Sequence, residues 1–120
     1  MTKEEWAVRD RQRDELRAKF SVLFSECFDF SPPPGWFSIV EKLSEKLAVD
    51  TSIRCVQVKT KLGGLRYYLK VPAPSWVNEA VREAEEEAWR TCERCSALAA
   101  PVETQEVWKS TLCSVCRSRV

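Results

Sequence analysis

Four cysteines near the end of the chain carry the clearest chemistry in the sequence. Cys92-Glu93-Arg94-Cys95 is followed, after seventeen residues, by Cys113-Ser114-Val115-Cys116. A Cys-x-x-Cys turn points two thiolates at one ion while its backbone N–H groups steady them, and two such turns complete a tetrahedral four-sulfur shell. The spacing therefore predicts a structural Zn2+ held by Cys92, Cys95, Cys113 and Cys116. A catalytic zinc would keep an open position and usually a His or carboxylate ligand, and the chain has no histidine. A redox Cys-x-x-Cys would not need a matching second pair. Disulfides would need an oxidising compartment, but the opening Met1-Thr2-Lys3-Glu4-Glu5 has no apolar signal segment, so a reducing cytosol is expected.

The remaining thiols, Cys27 and Cys55, lie on apolar stripes and read as small buried hydrophobes. Neither has a neighbouring base in the sequence to make it a nucleophile. Without His, general acid–base chemistry at neutral pH loses its usual carrier, and the paired carboxylates sit on exposed-looking helices where nothing tunes them. Gly63-Gly64 occupies a hairpin turn rather than a phosphate-binding loop. The expectation is a non-enzyme.

A second constellation is basic. Between residues 53 and 71 stand Arg54, Lys59, Lys61, Arg66 and Lys70 with no acid among them, and Tyr68 falls on the same side of its strand as Arg66 and Lys70. A basic hairpin carrying an outward tyrosine suits nucleic acid or an acidic protein surface. The rival explanation is internal. The following segment carries Glu79, Glu83, Glu85, Glu86 and Glu87 against only Arg82 and Arg90, and an acidic helix beside a basic hairpin would balance it.

The elements that position these groups can be read in order. Residues 2 to about 28 predict one long helix: Thr2 and Glu5 fit a capping box, and Leu16, Phe20, Leu23, Phe24, Cys27 and Phe28 form a helical stripe. Its earlier half mixes both charge signs and reads as a solvated face; the alternative is a protruding helix that docks on a partner or on a second copy through Trp6 and Val8. Ser31-Pro32-Pro33-Pro34-Gly35 stops the helix as a stiff linker. A second helix starts near Trp36, with Ile39, Val40, Leu43 and Leu47 inward. Strands follow over residues 53–60 and 65–71 around the turn Lys61-Leu62-Gly63-Gly64, with Leu65, Tyr67, Leu69 and Val71 sharing one face. An acidic helix capped at Ser75 runs from about Trp76 to Trp89 and leads straight into Cys92. Gln105 to Leu112 reads as a strand delivering Cys113.

Fold class is thus α+β: N-terminal helices, a basic β-hairpin, an acidic helix and a C-terminal zinc ribbon or abbreviated knuckle pair. Residues 1–34 form the helix and linker, 35–91 the core and 92–120 the metal segment, as one unit. A chain of 120 residues with 44% hydrophobic and 31% charged side chains is a folded domain rather than a disordered one. No apolar run approaches a membrane span. A formal charge of +1 leaves any attraction to anions to a local patch.

Gly35-Trp36 opening a helix, Val56-Gln57-Val58-Lys59-Thr60-Lys61-Leu62-Gly63-Gly64-Leu65-Arg66-Tyr67-Tyr68, Ala84-Glu85 in a helix, Thr91-Cys92-x-x-Cys95 and Thr111-Leu112-Cys113-x-x-Cys116 together resemble a family of small phage and prophage proteins. The resemblance spans about residues 35 to 116. Leu62 stands where Phe is common in that pattern and Ser96 where Gly is usual. The resemblance implies an accessory protein in the host-cell cytosol that binds a host enzyme or defence complex, for example as an inhibitor of anti-CRISPR type, as a monomer or homodimer. It supplies no activity. The alternative is nucleic-acid binding through Arg54, Lys59, Lys61, Arg66, Tyr68 and Lys70, with Arg117 and Arg119. A third reading makes the acidic helix a DNA mimic aimed at a defence nuclease.

Overall fold

The computed structural model describes residues 2–98 and 110–118. Helix α1, Lys3–Lys19, begins as the sequence predicts: the Thr2 hydroxyl accepts the Glu5 N–H at 3.2 Å, and Glu4 and Glu5 occupy the first turn, where the helix dipole favours acids. Leu16 is its only buried residue. The mixed charges ahead of it pair along the surface, as in Arg13 to Asp10 at 3.4 Å.

The helix ends nine residues earlier than expected. Residues 20 to 26 form consecutive turns, and Asp29–Phe30 is a short strand, β1. The stripe Phe20, Leu23, Phe24 and Cys27 is buried as predicted, but Phe28 is exposed. Backbone competition explains the difference. The Leu23 carbonyl accepts from Cys55 N–H at 2.9 Å and the Phe28 N–H donates to Val56 O at 3.0 Å, so the sheet takes groups that a longer helix would have used. The proline stretch is also more than a linker. Ser31 N–H continues the pairing onto Val58 O at 2.8 Å, and Pro34–Trp36 forms a 3-10 turn in which Gly35 and Trp36 are buried.

Helix α2, Phe37–Leu47, buries Ile39, Val40, Leu43, Ser44 and Leu47. Strands β2, Cys55–Lys61, and β3, Gly64–Leu69, make the predicted antiparallel hairpin, and β1 adds to β2 in parallel, giving the order β1-β2-β3. Because β3 stops at Leu69, Val71 is exposed instead of sharing the inner face. Helix α3, Ser75–Ala88, turns Val77, Val81, Ala84 and Ala88 inward and leaves Trp76 exposed. Ser75 is the first helical residue rather than a side-chain cap; Pro74 precedes the helix, and its carbonyl accepts from Val77 and Asn78.

The core lies between α2, α3, the turns after α1 and the inner face of the sheet. Ser44 and Tyr67 share a buried hydrogen bond at 3.0 Å, which satisfies both hydroxyls inside an otherwise apolar layer. No helix among the described residues is long and apolar enough to cross a membrane.

Candidate metal centre

The C-terminal cysteines converge. Their sulfurs all lie within 4.8 Å of one another, and Cys95 and Cys113 are 3.6 Å apart. A tetrahedral ion with metal–sulfur bonds of about 2.3 Å sets its sulfurs about 3.8 Å apart, so the cluster has the size that one ion requires. All four are free thiols. The donor set is soft and closed, four sulfurs with no position for water, which suits a metal held for structure.

Local backbone explains the convergence. Cys92 N–H donates to Ala97 O at 2.8 Å and Ser96 N–H to Cys92 O at 3.0 Å, folding the first pair into a tight turn closed by the Thr91–Leu98 bridge. Ser96 takes a φ of 70°, a left-handed position that glycine adopts without strain. The second pair opens the short helix α4, Ser114–Ser118, whose Cys116 N–H points at the Cys113 sulfur at 3.5 Å. That N–H, with the neighbouring thiols, brings Cys113 down to about 7, while burial first and then the surrounding sulfurs push Cys116 up to about 12. The strand expected from Gln105 is outside the described residues up to 109, as is Arg119.

The turn is anchored to the body by hydrogen bonds more than by apolar packing. Gly35 N–H donates to Glu93 O at 2.7 Å, the Ser96 hydroxyl to Gly35 O at 2.8 Å, and the Trp36 indole N–H to Thr91 O at 2.9 Å. A Cβ on Gly35 would stand 2.1 Å from the Cys92 carbonyl oxygen. Only glycine permits that approach. From the second pair, the buried Thr111 hydroxyl donates to Gly63 O at 2.7 Å, so the metal segment also holds the hairpin turn, where Leu62 and Gly63 both have positive φ. The sequence places Gly35 at the end of the linker and Trp36 at the start of a helix, but no local pattern there signals their contact with the metal turn.

The basic residues divide into two groups. Lys70 pairs with Glu26 at 2.7 Å and Arg54 with the same carboxylate at 3.7 Å. Lys59 and Arg66 are directly opposite each other across β2 and β3, with Lys61 one step along and Tyr68 opposite Gln57. Alternation places these residues on the face away from Val58 and Tyr67. Among the described residues no carboxylate makes an ion pair with Lys59, Lys61 or Arg66.

Among the described residues helix α3 makes no ion pair with the hairpin bases, and Arg66 is the one that stands near enough to an α3 carboxylate, Glu85, to favour its charged form. Arg82 is taken by Glu79 and Glu86, and Lys42 pairs with Glu87 at 3.2 Å. Glu85 alone reaches the sheet, accepting the Tyr67 N–H at 3.3 Å, and its burial pushes its carboxyl upward. The helix lies against the inner face, whereas the bases stand on the outer one.

Trp6 and Val8 are exposed on α1, with the Arg9 guanidinium 3.7 Å above the Trp6 ring. Trp6 and Arg9 border a cleft of about 520 Å³ whose other wall is Pro33, Pro34, Glu93, Arg94, Ser110 and Leu112. Comparison with protein-family models, with curated proteins and with solved structures gives no match.

Proposed function

We propose that this chain is a non-enzymatic, zinc-stabilised accessory protein of phage type that binds a host protein through the open face of its sheet, in the manner of an inhibitor of a defence complex. The observation that carries this reading is the cross-strand pair of Lys59 and Arg66. Like charges directly opposite each other weaken a sheet, and the acids that stand near them, Asp29 by Lys59 and Glu85 by Arg66, form no ion pair with either base. An acidic partner surface would relieve that repulsion. The closed four-sulfur site supports a structural role for the ion and leaves the work to surfaces.

The test is affinity capture from host cells with the full chain and with a variant carrying Lys59→Glu and Arg66→Glu. A partner retained by the native chain and lost by the folded variant supports the reading. A partner held equally by both sinks it and moves the working surface to Trp6 and Val8.

Nucleic acid is the second reading, favoured by Tyr68 beside the unpaired bases on the same face, where it is 38% exposed. Stacking on such a ring tolerates any base sequence. Binding through about four phosphate contacts would fall steeply as salt rises from 50 to 200 mM, and absence of binding at low salt eliminates it. The DNA-mimic reading is weakened: of the five glutamates on α3, only Glu83 has no ion pair or hydrogen bond among the described residues.

A further inference from the structure

Cys27 and Cys55 are separate from the metal cluster, and their placement is not that of two unrelated core residues. Phe28 N–H donates to Val56 O at 3.0 Å, which sets residue 27 alongside residue 55 where the chain enters β1 and β2. Each sulfur lies against the carbonyl two residues further along its own chain, Cys27 on Asp29 O at 3.4 Å and Cys55 on Gln57 O at 3.7 Å. The two thiols therefore point to the same side of adjacent backbones. Adjacent parallel strands keep their backbones about 4.8 Å apart, inside the Cα separation that a disulfide spans.

The two differ in access and surroundings. Cys27 is 6% exposed and Cys55 is 0% exposed. The Arg17 guanidinium donates to the Cys27 carbonyl at 2.6 Å, so a cation is held at the backbone of the more accessible cysteine. The Cys55 thiol first, then the Asp29 backbone and last Arg17 lower Cys27 to about 7 against its burial, while burial first of all drives Cys55 upward. A thiol shifted toward its thiolate beside a partner held protonated is a pairing that can close to a disulfide through a sulfenic acid.

We propose that Cys27 and Cys55 form an oxidisable dithiol that closes to a disulfide on reaction with a hydroperoxide, tying the segment after α1 to the central strand. The Cys27 thiolate attacks the distal peroxide oxygen, giving a sulfenic acid and, after protonation, water or an alcohol. The Cys55 sulfur then attacks the sulfenic sulfur, forming the S–S bond and releasing a second water. Two thiols are oxidised and one peroxide is reduced. A thiol reductant reverses the bond by exchange.

The experiment uses the full chain loaded with zinc, treated with hydrogen peroxide, alkylated and digested without reduction. The expected product is a cross-linked pair of peptides containing Cys27 and Cys55, lighter by two hydrogens and separated by reductant. Recovery of both residues as alkylated free thiols under conditions that oxidise a control dithiol overturns the proposal. In Cys55→Ser, a sulfenic-acid trap should label Cys27, whereas in Cys27→Ser it should leave Cys55 unlabelled. Labelling in the reverse pattern overturns the assigned roles. The wild-type peptide map decides the question even if either variant fails to fold.

Discussion

The body of the molecule and its metal segment are stabilised in different ways. Around α2, α3 and the inner face of the sheet, twenty buried side chains form one continuous cluster, whereas Cys92, Leu112 and Cys116 are the whole buried apolar set of the metal segment among the described residues, with Thr111 the buried polar one beside them. Burial of apolar surface at roughly 25 cal/mol per Å² can sustain the first. Three side chains cannot sustain the second. Its order must come from hydrogen bonds onto the backbone at Gly35, Trp36 and Gly63 and from the convergence of four sulfurs at the spacing one ion requires.

Trp36 belongs to both regions, since its ring is fully buried in the body and its indole N–H holds Thr91 O. Trp36→Ala should therefore have the largest effect, about 3–5 kcal/mol for loss of a large core side chain, measured by urea unfolding. It should also loosen the metal segment. A loss below about 1 kcal/mol would mean that the body does not depend on this ring, and the contrast between the regions would fail.

Gly35→Ala isolates the contact between them. The new methyl meets backbone at the Cys92 carbonyl and at Glu93, which cannot swing aside as a flexible side chain would. The expected cost is about 1–3 kcal/mol, with the metal segment displaced and hydrogen exchange of amides 92–98 accelerated. Unchanged exchange there would show that the close approach is not what docks the turn.

Metal removal separates the regions most directly. A chelator should unfold residues 92–98 and 110–118 while the body keeps a cooperative transition, lowered by about 1 kcal/mol for lost hydrogen bonds. Simultaneous loss of both would make the ion a condition of the whole fold. Because thiolates are the ligands, the metal should leave more readily as pH falls.

Local patterns in the sequence predicted the first region well and the second only in part. The 3.6-residue spacing of Ile39, Val40, Leu43 and Leu47 and the alternation around Gly63-Gly64 are consequences of short-range geometry, so α2 and the hairpin were legible. The stretch from Phe20 to Phe28 misled because its buried residues keep helical spacing while their backbone serves a strand 30 residues away; no local pattern records that competition. The four cysteines were legible because a metal demands a fixed spacing. Their docking was not, since Trp36 to Thr91 and Thr111 to Gly63 are single bonds to backbone atoms far along the chain. The choice between internal balance and an open basic face was not legible for a related reason: composition gives the charges of α3 but not the face of the sheet against which it packs.

Glu85 offers the smallest and most selective test, because it is the one charged contact that α3 makes with β3 in the body. Its half-buried carboxylate accepts the Tyr67 N–H, yet burial outweighs that bond and the nearby Arg66, raising its pKa in the folded state. A raised carboxyl binds its proton more tightly when folded, so protonation favours the native state. The native chain should be most stable relative to Glu85→Gln below the unfolded carboxylate pKa, lose that advantage as pH rises through the raised folded value, and stay level above it. Glutamine keeps an acceptor for Tyr67 and removes the buried charge, so at neutral pH the variant should match or exceed the native chain by a few tenths of a kcal/mol, discounted for partial exposure. Thermal unfolding of both chains from pH 4 to 8 measures the difference. A loss of about 2 kcal/mol at pH 7 would show that the body relies on this ionised contact as well as on burial, and the contrast with the metal segment would have to be redrawn.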